Sequence, residues 1–72
     1  METVILHLNN GTKWSYRLIS NTNNYIYMQD ESDGTSMRYN KTTKELYSYD
    51  SYNSVWNFMK NTTQMIEEIE IE

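Results

Sequence analysis

His7 is the only histidine in the chain, and histidine is the side chain best suited to act as a general base near neutral pH. A general base needs a nucleophile to activate and a carboxylate to orient it. Neither stands near His7 in the sequence. His7 lies between Leu6 and Leu8 in an alternating segment, so it projects from the opposite face of a strand. We therefore expect a surface or half-buried strand histidine without a catalytic role.

The acidic residues Asp30, Glu31 and Asp33 stand just before Gly34, an order that is similar to part of a calcium-binding loop. The match is incomplete, because Gln29 occupies the place of the first aspartate and the final bidentate glutamate is missing. An Asp-Gly pair is itself a turn signal. The segment therefore predicts a hairpin turn, and we expect no metal and no cofactor.

The composition excludes several other kinds of site. The chain has no cysteine, which rules out disulfides and cysteine-based metal sites, and its two glycines are too few for a glycine-rich phosphate loop. Two carboxylates could converge as in a glycosidase, but 72 residues are too few to build a deep cleft. No apolar stretch approaches the roughly 18 residues of a membrane span, and no secretory signal opens the chain. These absences favour a cytoplasmic protein that is not an enzyme and has no membrane partner.

Charge is unevenly distributed along the chain. Residues 1–66 contain six acidic and six basic residues, so the formal net charge of −4 comes from the last six residues. These hold four acidic side chains, which we call the acidic tail: Glu67, Glu68, Glu70 and Glu72. Such a run is commonly a solvated terminus, but on an ordered element it could also attract a basic partner.

The first fifty residues predict short strands separated by turns. Val4, Leu6 and the following leucine alternate, and a second alternating run begins at Trp14 and Tyr16. A three-residue loop with Gly11 in the left-handed conformation would pair Leu6 with Trp14, which buries both apolar rows on one face. Three more strands are predicted at residues 25–31, 35–40 and 45–49, giving an antiparallel meander.

Residues 52–69 have two interpretations. On a helical wheel the apolar side chains cluster on one face, which favours a single amphipathic helix from about 52 to 69. Asp50, Ser51 and Ser54 are candidate N-caps for that helix. However, residues 61–63 (Asn-Thr-Thr) are poor helix formers, and residues 68–72 alternate as in a strand. A shorter helix followed by a C-terminal edge strand remains open.

The predicted fold class is therefore α+β. We expect residues 1–72 to form a single domain, with a five-stranded antiparallel meander within residues 3–50 and one C-terminal amphipathic helix packed on a face of the sheet. The alternative is a shorter helix followed by a sixth, C-terminal strand.

Three functional hypotheses follow from these patterns. The first is a small acidic protein-interaction module, specifically an inhibitor from a phage or another mobile element that docks on a basic surface of a host immune or nucleic-acid-handling protein. The contact surface would be the acidic tail, joined by the acidic turn of Asp30, Glu31 and Asp33. The chain is rich in amino acids whose codons are AT-rich (Asn, Tyr, Ile and Lys) and has no Ala or Pro, which fits an AT-rich genome such as that of a phage of a low-GC bacterium.

The other two hypotheses use the sheet. The second is a structural or assembly protein that self-associates as a homodimer or larger homo-oligomer through a sheet edge or a tyrosine-rich face. The third is a single-stranded nucleic-acid-binding β-domain that stacks bases on Trp14 and Tyr16. Nucleic-acid binders usually carry a basic footprint, and the net acidic charge disfavours this last hypothesis.

Overall fold

Seven strands and one short helix make up the computed structural model, which describes residues 2–72. In chain order they are β1 (Thr3–Leu8), β2 (Lys13–Asn21), β3 (Tyr25–Gln29), β4 (Ser36–Asn40), β5 (Glu45–Asp50), β6 (Val55–Phe58), α1 (Lys60–Met65) and β7 (Ile66–Ile71). The strands form one antiparallel sheet in the order β6-β5-β4-β3-β2-β1-β7. The predicted class of an antiparallel sheet with a helix is confirmed, although the sheet has seven strands rather than five.

The first hairpin has the predicted register. Leu6 lies opposite Trp14, and Val4 lies opposite Tyr16, so the two apolar rows share one face. The loop closes with backbone hydrogen bonds from Leu8 N to Thr12 O and from Gly11 N to Leu8 O, and Gly11 has a φ of 84°. A left-handed residue is therefore required at that position.

Gly11→Val is expected to lower the free energy of unfolding by about 1–2 kcal/mol, the cost of placing a β-carbon in left-handed backbone. A β-carbon at Gly11 would meet no atom within 4 Å, so backbone strain is the whole effect. Asn9→Val is the comparison variant, because Asn9 needs no left-handed backbone and is expected to lose less. Urea denaturation measures the free energy of unfolding of both variants. An equal loss in the two would contradict the requirement for left-handed backbone at Gly11.

The three hairpins from β3 to β6 use one turn repeated at intervals of ten residues. Asp30, Asn40 and Asp50 each accept a backbone hydrogen bond with Oδ1 from the residue two positions later. The last turn residue has a positive φ each time, and these residues are Gly34 (76°), Lys44 (62°) and Ser54 (55°). An aspartate or asparagine side chain that mimics a backbone turn is thus the local reason for each reversal.

The helix predicted for residues 52–69 is wrong in its extent. Val55–Phe58 is strand β6, paired with β5, and α1 covers only Lys60–Met65. Asp50, a predicted helix cap, instead caps the third of these turns. The β-branched and aromatic residues that follow favour a pleated strand over a helix. The alternative prediction was right about the C-terminal strand, which is β7.

The sheet is curled, because the short helix α1 connects its two edge strands, β6 and β7. A flat sheet of seven strands would be about 29 Å wide, whereas a six-residue helix is about 9 Å long. Just before α1, Met59 N donates a hydrogen bond to Leu46 O of β5, the strand beside β6. At the end of α1, Met65 O accepts a hydrogen bond from Asn9 N, which directly follows β1. The two edges therefore approach each other around a concave inner face.

The core fills that inner face. Its buried side chains come from β1 to β5 and are Val4, Leu6, Leu8, Tyr16, Ile26, Met28, Met37 and Leu46. Partly buried residues of α1 and β7, including Met65 and Ile69, pack against them. No helix within residues 2–72 is long and apolar enough to cross a membrane.

Candidate functional site

The four glutamates of the acidic tail lie on β7 and the residue after it, and we call this segment the acidic strand. Apolar pairing on the inner face of the sheet holds it in place. Ile69 and Ile71 lie opposite Leu6 and Val4 of β1, and both isoleucines pack against the core. Glu72 remains in register, with reciprocal backbone hydrogen bonds to Thr3 of 2.9 and 3.1 Å. The alternation that buries these isoleucines directs the intervening glutamates outward. The carboxylates therefore sit on regular structure up to the last residue.

The bulge in β7 sets the spacing of the carboxylates. His7 is opposite Glu68, but the next residue of β1 is opposite Ile66, so Glu67 is the extra residue. Glu67, Glu68 and Glu72 are exposed, and the Glu70 side chain retains 44% of its accessible surface. The bulge thus adds one more exposed carboxylate to the strand.

One of the four carboxylates has an internal partner. Oε1 of Glu70 lies 2.9 Å from Nε2 of His7, within hydrogen-bond distance. This carboxylate orients His7, a contact between residues 63 positions apart that the sequence did not predict. No hydroxyl or thiol in the described chain hydrogen-bonds to His7, so the pair lacks a nucleophile.

A groove runs beside β7, where the curled sheet stays open. Its volume is about 550 Å³, and its lining includes Glu67 and Glu68 on one side and Lys41 and Lys44 on the other. The Lys41 ammonium is held on its own side, since it donates to the Thr22 carbonyl at 2.7 Å. The lysines face the glutamates across the groove without forming ion pairs.

The acidic turn is separate from the acidic strand. Asp30, Glu31 and Asp33 lie in the connection between β3 and β4, three strands and about 14 Å from β7. The strand next to this turn carries two cationic residues, Lys13 and Arg17. The structure therefore gathers the four C-terminal glutamates on one strand, but it does not join all seven predicted contact residues in one patch.

The two aspartates of the acidic turn accept hydrogen bonds that stabilise the turn. Asp30 Oδ1 accepts from the Ser32 hydroxyl at 2.6 Å and from the Ser32 backbone at 2.8 Å, and these bonds lower the pKa of Asp30. Asp33 Oδ1 accepts from Thr35 N at 2.9 Å. The segment is the hairpin turn that its Asp-Gly pair predicts. Within residues 2–72 no group of three or more acidic or histidine side chains is arranged to hold a metal ion.

Alkaline pH is expected to destabilise the protein through Tyr16. Burial raises the pKa of Tyr16 to about 12, and the charges of Asp30 and Asp33 add to the effect. An unfolded tyrosine titrates near pH ~10, so the stabilising contribution of the neutral hydroxyl is complete below about pH 10 and is lost as the pH rises to about 12. Urea denaturation in a pH series should show this fall, and Tyr16→Phe should reduce it. Tyr52→Phe, at a side chain 94% exposed, is the control; an unchanged fall in Y16F would contradict this cause.

The second notable surface is on the outer side of β3 to β6. The sequence indicated a tyrosine-rich face but did not identify the residues that form it. We call it the aromatic face, and it consists of Tyr25, Tyr27, Tyr47, Tyr49, Trp56 and Phe58. Its rings contact one another across strands, with centroids 5.0 Å apart for Tyr49 and Trp56. The guanidinium of Arg38 lies among them, 4.5 Å from the Trp56 ring and 4.9 Å from the Tyr25 ring. These are cation–π distances.

The aromatic face differs from the surface considered for base stacking. Tyr16 belongs to the buried core, and Trp14 is on the same inner face with 36% of its surface exposed. These two residues therefore do not form an open stacking platform. The signal that could have identified the outer face is the period-two spacing of tyrosines in β3 and β5, which leaves the intervening apolar residues for the core.

Comparisons of the chain with models of known protein families, with curated proteins and with solved structures found no match. The fold and surfaces define a small antiparallel sheet protein with one short helix, an acidic edge strand and an aromatic outer face.

Proposed function

We propose that this protein is a non-enzymatic protein-interaction module that docks on a basic surface of a partner through the acidic strand. The observation that supports the proposal is the state of its carboxylates. They lie on a strand that is hydrogen-bonded to its end, and none forms an ion pair with a lysine or arginine of the described chain.

An ordered strand is favourable for such docking. Its backbone is already fixed by β1, so binding would cost little conformational entropy at the contact. Glu68 and Glu70 lie opposite His7 and Ile5 of β1, and Glu67 and Glu68 border the groove. Clustered charge of one sign accelerates association with an oppositely charged partner and selects against acidic ones.

The partner class follows from the chemistry of the acidic strand. Basic protein surfaces commonly bind nucleic-acid phosphates, so a row of carboxylates would compete with nucleic acid for them. We infer an inhibitor of phage or mobile-element origin that acts in the host cytoplasm on a nucleic-acid-handling or immune protein. The small size and the abundance of amino acids with AT-rich codons support this origin.

The test is capture of partners from the cytosol of a low-GC bacterium by the immobilised protein. A variant with glutamine at all four positions of the acidic strand should lose the captured protein. With the purified partner, wild-type affinity should fall as salt rises, because screening weakens exposed charge pairs. Glutamine preserves side-chain size and leaves the isoleucine pairing of β7 intact.

Two further variants locate the contact. Glu45→Gln removes an acidic charge from β5, outside the acidic strand, and should leave capture unchanged. Neutralising the acidic turn (Asp30→Asn, Glu31→Gln, Asp33→Asn) tests whether that turn joins the contact. Equal affinity of the wild type and the quadruple glutamine variant would refute docking through the acidic strand.

A further inference from the structure

β6 is an edge strand without the usual protection against pairing. Within residues 2–72 it pairs only with β5, and its other side has no strand partner. Its four residues, Val55, Trp56, Asn57 and Phe58, include no charge and no proline. Val55 and Phe58 are each 44% exposed. An uncharged, apolar edge of this kind is a template for another strand.

The backbone of β6 presents free hydrogen-bonding groups on that side. Met59 N donates to Leu46 O on β5 at 2.9 Å, so Met59 points its amide toward β5. Backbone groups alternate in direction along an antiparallel strand. Asn57 and Val55 therefore also face β5, while the amides and carbonyls of Trp56 and Phe58 face outward.

The opposite edge of the sheet is protected. Two copies of β7 brought together would place the carboxylates of the acidic strand close to one another, and like charges directly opposite are destabilising. Two copies of β6 would bring no charges together. Charge therefore favours β6 for pairing with an identical strand and disfavours β7.

We propose that a second copy of this chain pairs with β6 in antiparallel orientation, about a twofold axis that passes beside Asn57. This register places Trp56 opposite Phe58 of the second copy, and the converse, with all four outward amides and carbonyls satisfied. The aromatic face then continues across the junction, since Trp56 and Phe58 belong to it in both copies. Two seven-stranded sheets become one sheet of fourteen strands.

The interface is small, which sets the expected strength of the dimer. A standard stable interface covers about 800 Å² on each partner, roughly a sixth of the 4782 Å² accessible surface of this chain. A four-residue strand with its flanking aromatic side chains offers less than that. The dimer is therefore a reversible one, with a dissociation constant on the order of micromolar.

Sedimentation velocity over a concentration series tests the proposal. The wild type should pass from monomer to dimer as concentration rises, with little response to salt because the contact carries no charge. Asn57→Lys should remain monomeric at the same concentrations, because the twofold sets the two substituted side chains directly opposite each other. Asn57 is exposed, so folding, checked by circular dichroism, should be preserved. Asn23→Lys, in the exposed connection between β2 and β3, makes the same charge change far from β6 and should dimerise as the wild type does.

A pair of variants with opposite charges at residue 57 provides the decisive experiment. Asn57→Glu should also be monomeric alone, but an equimolar mixture of N57K and N57E should dimerise, because opposite charges then meet across the axis. A wild type that stays monomeric throughout would overturn the proposal. Dimerisation of N57K equal to that of N23K, failure of the mixture to associate, or growth beyond the dimer into open-ended polymers would overturn it as well.

Discussion

Leu6→Ala is expected to lower the free energy of unfolding by about 3 kcal/mol, within the usual range of about 2–5 kcal/mol for truncating a fully buried leucine. Leu6 has no accessible surface and lies between Trp14 of β2 and Ile69 of β7. Its loss would leave a cavity at the centre of the inner face, where β1 joins the meander to the C-terminal strand. The midpoint of urea denaturation, followed by tryptophan fluorescence, measures the change.

Ile5→Ala is the matched comparison, because Ile5 is the neighbouring residue on the outer face and is outside the core cluster. It should cost clearly less than Leu6→Ala. Domains of this size have little stability in reserve, so the Leu6 variant should be substantially unfolded at 37 °C. Similar losses in the two variants would show that the inner face is not the principal core.

Thr63→Val is expected to cost about 1–3 kcal/mol, the penalty for leaving a half-buried backbone donor without a partner. The Thr63 hydroxyl accepts from Leu46 N at 3.0 Å, at the point where β6 has ended and β5 has lost its strand neighbour. This bond also attaches α1 to β5. Valine matches threonine in shape but cannot accept the bond, so the effect isolates the hydroxyl.

Two variants test the cause of that loss. Thr63→Ser keeps the hydroxyl and should recover most of the stability. Thr62→Val makes the same change at the preceding residue, whose hydroxyl forms no hydrogen bond within residues 2–72. It should change the free energy of unfolding by only about a few tenths of a kcal/mol. Equal stabilities of the Thr62 and Thr63 variants would remove the role assigned to the hydroxyl.

The N-terminal hairpin could be predicted from the sequence because two local signals agree there. Leu6 and Trp14 each belong to an alternating row, and a loop closed by Gly11 is the connection that puts both rows on one face. Register is strongly determined wherever one face must be buried. The same agreement of alternation and turn residues located the next three strands.

The region after Asp50 could not be assigned because its local signals conflict. A side-chain oxygen that accepts hydrogen bonds from the backbone amides two and three residues later is found at helix N-termini and also in four-residue hairpin turns. The Asp50 side chain accepts these bonds in a hairpin turn. Val55 and Phe58 fit the apolar stripe of a helix as well as a strand. The deciding contact is tertiary, since β5 already presented an unpaired edge.

The candidate site was predicted in part. The alternation of isoleucine and glutamate indicated a strand that directs carboxylates outward, and β7 has that form. Its partner β1 lies more than sixty residues away, so the contact between His7 and Glu70 leaves no local signal. The spacing of tyrosines in β3 and β5 indicated a tyrosine-rich face, but the position of Arg38 among its rings emerged only from the fold.

The ten-residue spacing of the turns at Asp30, Asn40 and Asp50 limits how this sheet can change in size. Each ten-residue unit contributes one strand and one turn. Deleting one unit would reverse the direction of every later strand, so the chain would arrive at the wrong end of the sheet and β7 could not pair with β1. Deleting or duplicating twenty residues preserves direction, so homologous sheets should narrow or widen by two strands at a time.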